Sequence, residues 1–368
     1  MSLLRALALS VRSLRNLESV DIEPGARFNV IAGDNGQGKT SLLEAIYLVT
    51  TTRSFRTSKL AELVPTRAPE TIVSVRAKLD DGAAREQSVG LQGGRRSVRA
   101  DGVRPKGLAE FAVRSPVVVF SPSELGVSMG PGSERRKLLD RVGLYIGAHA
   151  LVEAESYTRA QRERQRALET RGAAARDLYE WEELMVGHAL AVMTARQDAS
   201  MRLADVAREA FARIAGPKLA VSFSYVPSAP LDASEYRRAL EGSRARDLAR
   251  GSASVGPHRD DLSVTLGGDA ARRVASQGQH RAIVLALKIA EIDVVTQARG
   301  VRPILLLDDV SSELDRDRTA ALFTVLGEQR GQVFLTTTRP DLLADVGSDD
   351  GARADFVIVG GAVRATKA

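Results

Sequence analysis

The sequence has no cysteine. That excludes disulfides and thiolate metal sites, and a reducing cytoplasm is the compartment it fits best. Its four histidines, His149, His188, His258 and His280, are scattered, so the spacing of a zinc site is missing. Aromatic residues are 4% of the chain, too few for a visible stacking platform for single-stranded nucleic acid. No apolar run approaches the roughly 18 residues that cross a bilayer, and no membrane partner is expected. The opening MSLLRALALSVRSLR lacks acids and carries arginines, as a transit peptide would. Arg5 interrupts it and no small-residue cleavage site follows, so it reads as a first strand. Repeats and low-complexity tracts are absent too. What is there is 368 residues, enough for two or three lobes. Lys plus Arg exceed Asp plus Glu by 52 to 46, a surplus that permits a nucleic-acid partner without demonstrating one.

Residues 27–32 read RFNVIA, a short apolar run. GDNGQGKT follows from Gly33 to Thr40, and then SLLEAIYLV. Strand, glycine-rich loop, helix is the context in which G-x-x-x-x-G-K-[ST] binds phosphate. Gly33, Gly36 and Gly38 let the loop, with Asp34, Asn35 and Gln37 between them, turn its N–H groups onto phosphate oxygens. The helix beyond adds its N-terminal dipole. Lys39 reaches the β and γ phosphates, the Thr40 hydroxyl can ligate Mg²⁺, and Ser41 begins a well-formed helix. A chance glycine-rich turn is the bland alternative, and the flanking strand and helix make it the poorer one.

Residues 303–309 read PILLLDD, a buried parallel strand ending at the carboxyl edge where α/β sheets bind ligands. Asp308 can hold Mg²⁺ and Asp309 can polarise a water. Alone, the pair is as well read as a helix cap. A phosphate loop that needs a carboxylate partner for its metal tips the balance. Residues 275–281 read ASQGQHR, ahead of the helical AIVLALKIAEIDVV. Ser276 stands where an N-cap belongs, and its hydroxyl, the Gly278 backbone and the helix dipole make a second anion site. Taken by itself, this segment is better read as a plain capped helix.

Order along the chain changes that reading. The glycine-rich loop, then SQGQ, then the Asp308 strand, then SSELD at residues 311–315 resembles the ABC ATPases. The resemblance implies that Ser276, Gln277, Gly278 and Gln279 form a signature loop. That loop closes on ATP held by residues 33–41 of a partner, beside a D-loop containing Asp315, in a symmetric ATP-dependent dimer. GPHRDDL (Gly256 to Leu262), SFR (Ser54 to Arg56) and SERRKLLDR (Ser133 to Arg141) narrow the match. End to end, the chain resembles the bacterial RecF family, which is similar to SMC heads without their long coiled coil. What this implies is an α/β fold, an ABC-type ATPase head combining a parallel P-loop sheet with an antiparallel β layer, and an inserted helical arm lobe. The implied cofactors are ATP and Mg²⁺. The implied activity is weak DNA-stimulated ATP hydrolysis by a homodimer that binds duplex DNA near single-strand/double-strand junctions. RecO and RecR are the implied partners in loading recombinase.

The two halves of the nucleotide site lie at opposite ends of the chain, so the head is expected from residues 1–125 and 255–368, with an arm lobe at 126–254. TIVSVRAKL, EQSVGLQ and SVRA alternate as antiparallel strands, with Asp81-Gly82 and Asp101-Gly102 as hairpin signals. Residues 134–215 are helical in character with a break near Arg171-Gly172, predicting an arm that folds back on itself. A weak segment from Pro217 to about Ser254 returns the chain to the head. Strand QVFLTTT, a helix near Leu342 and strand DFVIVG close the fold. Three basic clusters stand out: Arg95, Arg96, Arg99, Arg104 and Lys106; Arg135, Arg136, Lys137 and Arg141; Arg53, Arg56 and Lys59. Each is either a solvated surface or a set of phosphate contacts, the latter backbone-led and sequence-independent. His280 and Arg281 can serve nucleotide or dimer contacts. His258 and Arg259 can do the same, or fix the arm to the head.

The sequence departs from the broad ABC pattern in four places. Asp309 stands where Glu is usual, and a carboxylate one methylene shorter predicts slow turnover, which suits a dimer-closing switch. The strand at 332–338 ends in three threonines with no switch histidine. The loop at 117–124, VVVFSPSE, has no glutamine, and Gln277 replaces a glycine in the signature. Two other classes share some motifs. A transporter ATPase would not need the long helical insert and usually carries the missing glutamine and histidine. A small-molecule kinase would need neither SQGQ nor the Asp315 loop.

Overall fold

The structure, a computed structural model, describes residues 2–309, 331–343, 347 and 353–366. From the N-terminus come β1 (Ser2–Leu3), β2 (Arg5–Leu14), β3 (Leu17–Ile22), β4 (Phe28–Ala32), α1 (Lys39–Thr51), β5 (Val73–Asp80), β6 (Ala84–Gln92), β7 (Arg95–Ala100), α2 (Leu108–Val113) and β8 (Val117–Phe120). The middle of the chain holds α3 (Gly126–Met129), α4 (Gly132–Ile146), α5 (His149–Arg171), α6 (Leu178–Ala215), β9 (Val221–Val226), α7 (Ala233–Arg250), β10 (Asp261–Leu266), β11 (Asp269–Ala270) and α8 (Ala271–Val274). It continues through α9 (Gln277–Arg299), β12 (Val301–Arg302), β13 (Ile304–Leu307), β14 (Val333–Thr337), β15 (Arg353–Val359) and β16 (Ala362–Thr366).

Two compact units divide this chain, residues 1–124 with 291–368 and residues 125–290. In the first, a six-stranded sheet runs β16-β15-β4-β14-β13-β8, parallel except for β16. Its strands FNVIA, VFLTT, ILLL and VVVF are near-continuous apolar runs because both faces of the sheet are covered. A five-stranded antiparallel sheet, β3-β2-β5-β6-β7, alternates buried and exposed side chains instead. Helix α1 packs on strands of both sheets and is buried almost throughout, which is why KTSLLEAIYLVTT lacks a polar face. Leu42, Ile46, Val75, Val89, Leu306 and Phe334 lie in the one core that joins them. The expected first strand is β2. The β6–β7 hairpin turns at Gly93-Gly94, both with positive φ, while Asp101-Gly102 closes a turn after β7 through Ala100 and Val103. The helix expected near Leu342 is one 3₁₀ turn, Pro340–Leu343.

In the second unit α5 and α6 pack along each other, joined through Gly172 at φ 79°. That is the expected break at Arg171-Gly172. Another falls at Gly147, which caps α4. Helix α6 is 38 residues long, about 57 Å. The segment from Pro217 to Ser254 is no simple return: it contributes β9 and α7. Strand β9 pairs antiparallel with β10, and Arg135 on α4 bonds Asp261 at the start of β10. These long-range ties draw residues 255–290 into this unit. The second boundary therefore falls within α9, at 290/291, rather than at the expected 254/255.

Candidate functional site

Between β4 and α1 the glycine-rich loop is held open from three sides. Gly33 has φ 157°, and a Cβ there would lie 2.5 Å from the Ile358 carbonyl oxygen on β15. Gly38 has φ 115°, and its Cβ would press on Asn16. Asn16, in the β2–β3 turn, donates to the Gly36 carbonyl at 3.2 Å and accepts from the Ser41 hydroxyl at 2.9 Å. At the third side the Gly360 N–H donates to the Gln37 side-chain oxygen at 2.6 Å, and the Gly361 N–H donates to the Gln37 carbonyl at 3.0 Å. The loop is thus shaped before any anion arrives. Asp34, Asn35 and Gly36 are its exposed crest. The helix begins at Lys39, two residues earlier than Ser41.

Lys39 Nζ donates to the carbonyls of Gly33 and Asp34 at 2.7 and 2.9 Å. Burial pushes its pKa down, against the opposing pull of Asp309, Asp308 and Asp34. Thr40 Oγ1 donates to Asp308 Oδ1 at 2.9 Å, and Thr336 Oγ1 on β14 donates to the same oxygen at 2.9 Å. Burial, reinforced by the charge of Asp309, pushes the Asp308 carboxyl above its usual range although both threonines oppose it. A hydroxyl and a carboxylate this close make an all-oxygen donor pair that suits Mg²⁺ completed by phosphate and water. Among the described residues no cluster of three or more His, Cys, Asp or Glu could hold a metal without such outside ligands. Asp309 has a left-handed backbone, φ 53°, and its N–H donates to Thr336 Oγ1 at 2.8 Å. That conformation costs a non-glycine residue about 1 kcal/mol or more and aims the carboxylate after the strand has ended.

The second unit carries the segment expected to form a second anion site. Ser276 precedes α9, and its N–H donates to Gln279 Oε1 at 2.7 Å while the Gln279 N–H donates to Ser276 Oγ at 3.3 Å. This is a reciprocal capping box. Ser276 accepts one bond and keeps its hydroxyl proton to give. Exposed Gln277 and half-buried Gly278 complete the first turn. Asp315 lies outside the described residues.

The sequence matches the family described as RecF/RecN/SMC N terminal domain over residues 6–354. It is 40% identical over 358 residues to the DNA replication and repair protein RecF of Myxococcus xanthus, with 94% of each chain covered. The chain belongs to the RecF family. A RecF of Anaeromyxobacter is 39% identical, covering 98% of this chain and 99% of that one. A solved structure described as the recombination mediator protein RecF-ATP in the RecFOR pathway superposes with TM-score 0.87 at 28% identity, covering 100% of both chains. An SMC head bound to a ScpA domain, at TM-score 0.55 and 15% identity, shares the ABC-type head fold alone.

The basic clusters of this RecF-family chain separate once burial is known. Arg135 is 5% exposed, pairs bidentately with Asp261 at 2.6 and 2.9 Å and also caps the Gly130 carbonyl. It is a structural tie, which corrects its reading as a phosphate contact. Arg136 is half-buried and donates to the Asp260 carbonyl; Lys137 is exposed beside Glu134. Arg56, with Arg15 and Ser54, surrounds the fully buried Glu44 of α1, so SFR is largely a neutralising motif. Arg53 is exposed. Arg96 is half-buried and donates to the Thr52 carbonyl at 2.7 Å, tying β7 to the end of α1. Arg95, Arg99, Arg104 and Lys106 remain exposed around it. Arg96, Arg99, Arg104 and Lys106 line a cavity of 460 Å³ whose described lining includes no acid. Asp101, the one nearby acid in sequence, is exposed, and its Oδ1 accepts from the Glu86 N–H at 2.8 Å.

His258 hydrogen-bonds Tyr157 of α5 at 2.8 Å through Nδ1 and the Ala253 carbonyl at 2.9 Å through Nε2, within its own unit. These bonds tie GPHRDDL to α5 inside the second unit. Asn16, Thr336, Gly360 and Gly361 were not singled out in the sequence. Only the threonine run at the end of β14 carries a signal, as the place where a histidine is missing.

Proposed function

We propose that this chain is an ATP-dependent DNA-binding protein of recombinational repair and replication-gap processing, working as a head-to-head dimer. The observation that carries the reading is the assembly of Lys39, Thr40, Asp308 and Thr336 beside an open glycine-rich loop, with a separate capped anion site at Ser276. Names of the relatives, which place them in DNA replication and repair and in the RecFOR pathway, supply the biological setting and favour it over a transporter ATPase. They also support RecO and RecR as partners.

When bound, ATP and Mg²⁺ supply the reactive γ-phosphorus and the charge that draws two chains together. Loop N–H groups between Gly33 and Thr40 would hold the phosphates, with Lys39 turning from two loop carbonyls to phosphate oxygens. Thr40 and Asp308 hold the metal. Ser276 and the Gly278 N–H of the partner cap the γ-phosphate. Asp309 orients the water, and its short side chain makes hydrolysis slow, so ATP serves as a closing switch. The cavity beside β7 takes backbone phosphates of duplex DNA, because it offers cations and no aromatic platform.

Two experiments test this. Ser276→Arg is expected to bind ATP as tightly as the parent yet fail to dimerise in sedimentation velocity with ATP, because it obstructs only the partner's site. An ATP-dependent dimer of that variant would refute the face-to-face arrangement. Replacing Arg99, Arg104 and Lys106 by Gln is expected to weaken duplex retention and make the plot of log affinity against log salt shallower by about 2–3. An unchanged slope would remove this cavity from the DNA surface.

A further inference from the structure

His280 follows the signature residues and has no part in the function argued above, yet it is 5% exposed. Its Nδ1 lies 2.7 Å from the hydroxyl of Ser128, which is 2% exposed on α3. The imidazole also bonds the Ala275 carbonyl, the residue before Ser276. The backbone N–H of His280 donates to the Ser276 carbonyl at 2.9 Å. The side chain therefore links the residue that precedes the signature turn to a helix remote in sequence, while the backbone bond to Ser276 is an ordinary helical one. A neutral imidazole fits these places, accepting from the Ser128 hydroxyl at Nδ1 and donating to Ala275 from the other nitrogen. Burial favours that neutral form.

The capping box cannot set this aim alone. Ser276 and Gln279 bond each other on an exposed surface, which fixes the turn internally but not its direction relative to the body of the unit. An anion site is sensitive to direction: a displacement near 1 Å can cost about 100-fold in rate.

We infer that His280, held by Ser128, is a positioning residue that aims the Ser276 turn at the nucleotide of a partner chain. This rests on the two-chain reading of the site. His280→Ala and, more mildly, Ser128→Ala are expected to bind ATP within about twofold of the parent, because the loop at Lys39 is untouched. Their ATP-dependent dimerisation and hydrolysis are expected to fall by roughly 10- to 100-fold. His280→Asn keeps an acceptor near the Nδ1 position and is expected to recover much of the loss, but not when combined with Ser128→Ala.

Mixed dimers give the decisive measurement. Asp309→Asn chains are expected to bind ATP and carry an intact signature turn while lacking hydrolysis. Added to His280→Ala chains, they are expected to restore turnover at the sites of the latter. Full hydrolysis by His280→Ala alone overturns the inference. So does a defect that Asp309→Asn chains leave unrepaired while they repair Ser276→Arg, since it would then be a general structural fault. Failure to repair Ser276→Arg as well would overturn the two-chain reading, and this inference with it.

Discussion

Lys39→Met is expected to yield a folded protein that no longer retains ATP and no longer dimerises with it. Lys39 sits in a loop already shaped by Asn16, Gln37 and the Gly360-Gly361 turn, so the loop keeps its form without the ammonium. The two carbonyls that Lys39 now serves, on Gly33 and Asp34, belong to half-buried and exposed residues and can turn to water. The loss falls on the bound state. Two charge-assisted hydrogen bonds to phosphate are each worth about 1.5–3 kcal/mol, so affinity drops by at least about 100-fold. The variant also leaves Asp34, Asp308 and Asp309 without the cation they share, which repels an anion further. Titration calorimetry with ATP checks binding, and sedimentation with ATP checks assembly. Retained ATP affinity within a few-fold of the parent would show that the loop's N–H groups alone hold the phosphates.

The residues that were legible in the sequence are those whose roles are local. Gly33 to Thr40 fold as strand, loop and helix in unbroken succession, and PILLLDD announces a buried strand by its composition. Ser276 and Gln279 stand at capping-box spacing, so their pairing needs nothing from elsewhere. The supports around them come from far away in the chain. Gly360 and Gly361 reach Gln37 across more than 300 positions, and Thr336 reaches Asp308 only because β14 lies beside β13. Nothing in their immediate neighbours announces this. Charge runs misled for the same reason. Arg135, Arg136 and Lys137 are consecutive, but on a helix they point in different directions, and Arg135 meets Asp261 while Lys137 meets solvent. The boundary expected at 254/255 failed because β9 was hidden in a segment with weak periodicity. Its pairing with β10 moves the whole stretch to Ala290 into the second unit.

Arg164→Met is expected to cause the largest loss of stability among single substitutions in the second unit. Arg164 on α5 is fully buried. Its Nε donates to Glu182 at 3.0 Å, Nη1 to Asp247 at 2.8 Å and Nη2 to the Leu240 carbonyl at 3.0 Å, so one guanidinium joins α5, α6 and α7. Arg244 bonds Glu182 from the other side, which balances the two buried acids with two cations. Methionine fills much of the volume but leaves Asp247 buried without its counter-charge. Breaking a buried pair in this way costs about 3–5 kcal/mol. Arg164→Lys is expected to rescue little, since an ammonium cannot serve three fixed directions. Arg164→Met with Asp247→Asn is expected to recover part of the loss, because no unpaired charge remains. The pH dependence follows the same logic. Burial raises the Asp247 carboxyl, but hydrogen bonds from Ser254, Ser243 and Arg164 outweigh it and hold the pKa below the usual carboxylate range. A lowered carboxylate stabilises the fold above its unfolded pKa, near 3.9, and that contribution fades as pH falls through the lower folded value. In Arg164→Met the lowering by Arg164 is lost while burial remains, so acid unfolding is expected to begin at a higher pH than in the parent. Denaturant melts of parent, single and double variants across pH 3–7 measure both effects. Equal stabilities of parent and Arg164→Met would mean that the three helices are held by their apolar contacts alone, through Met185, Ala189, Tyr236 and Leu240.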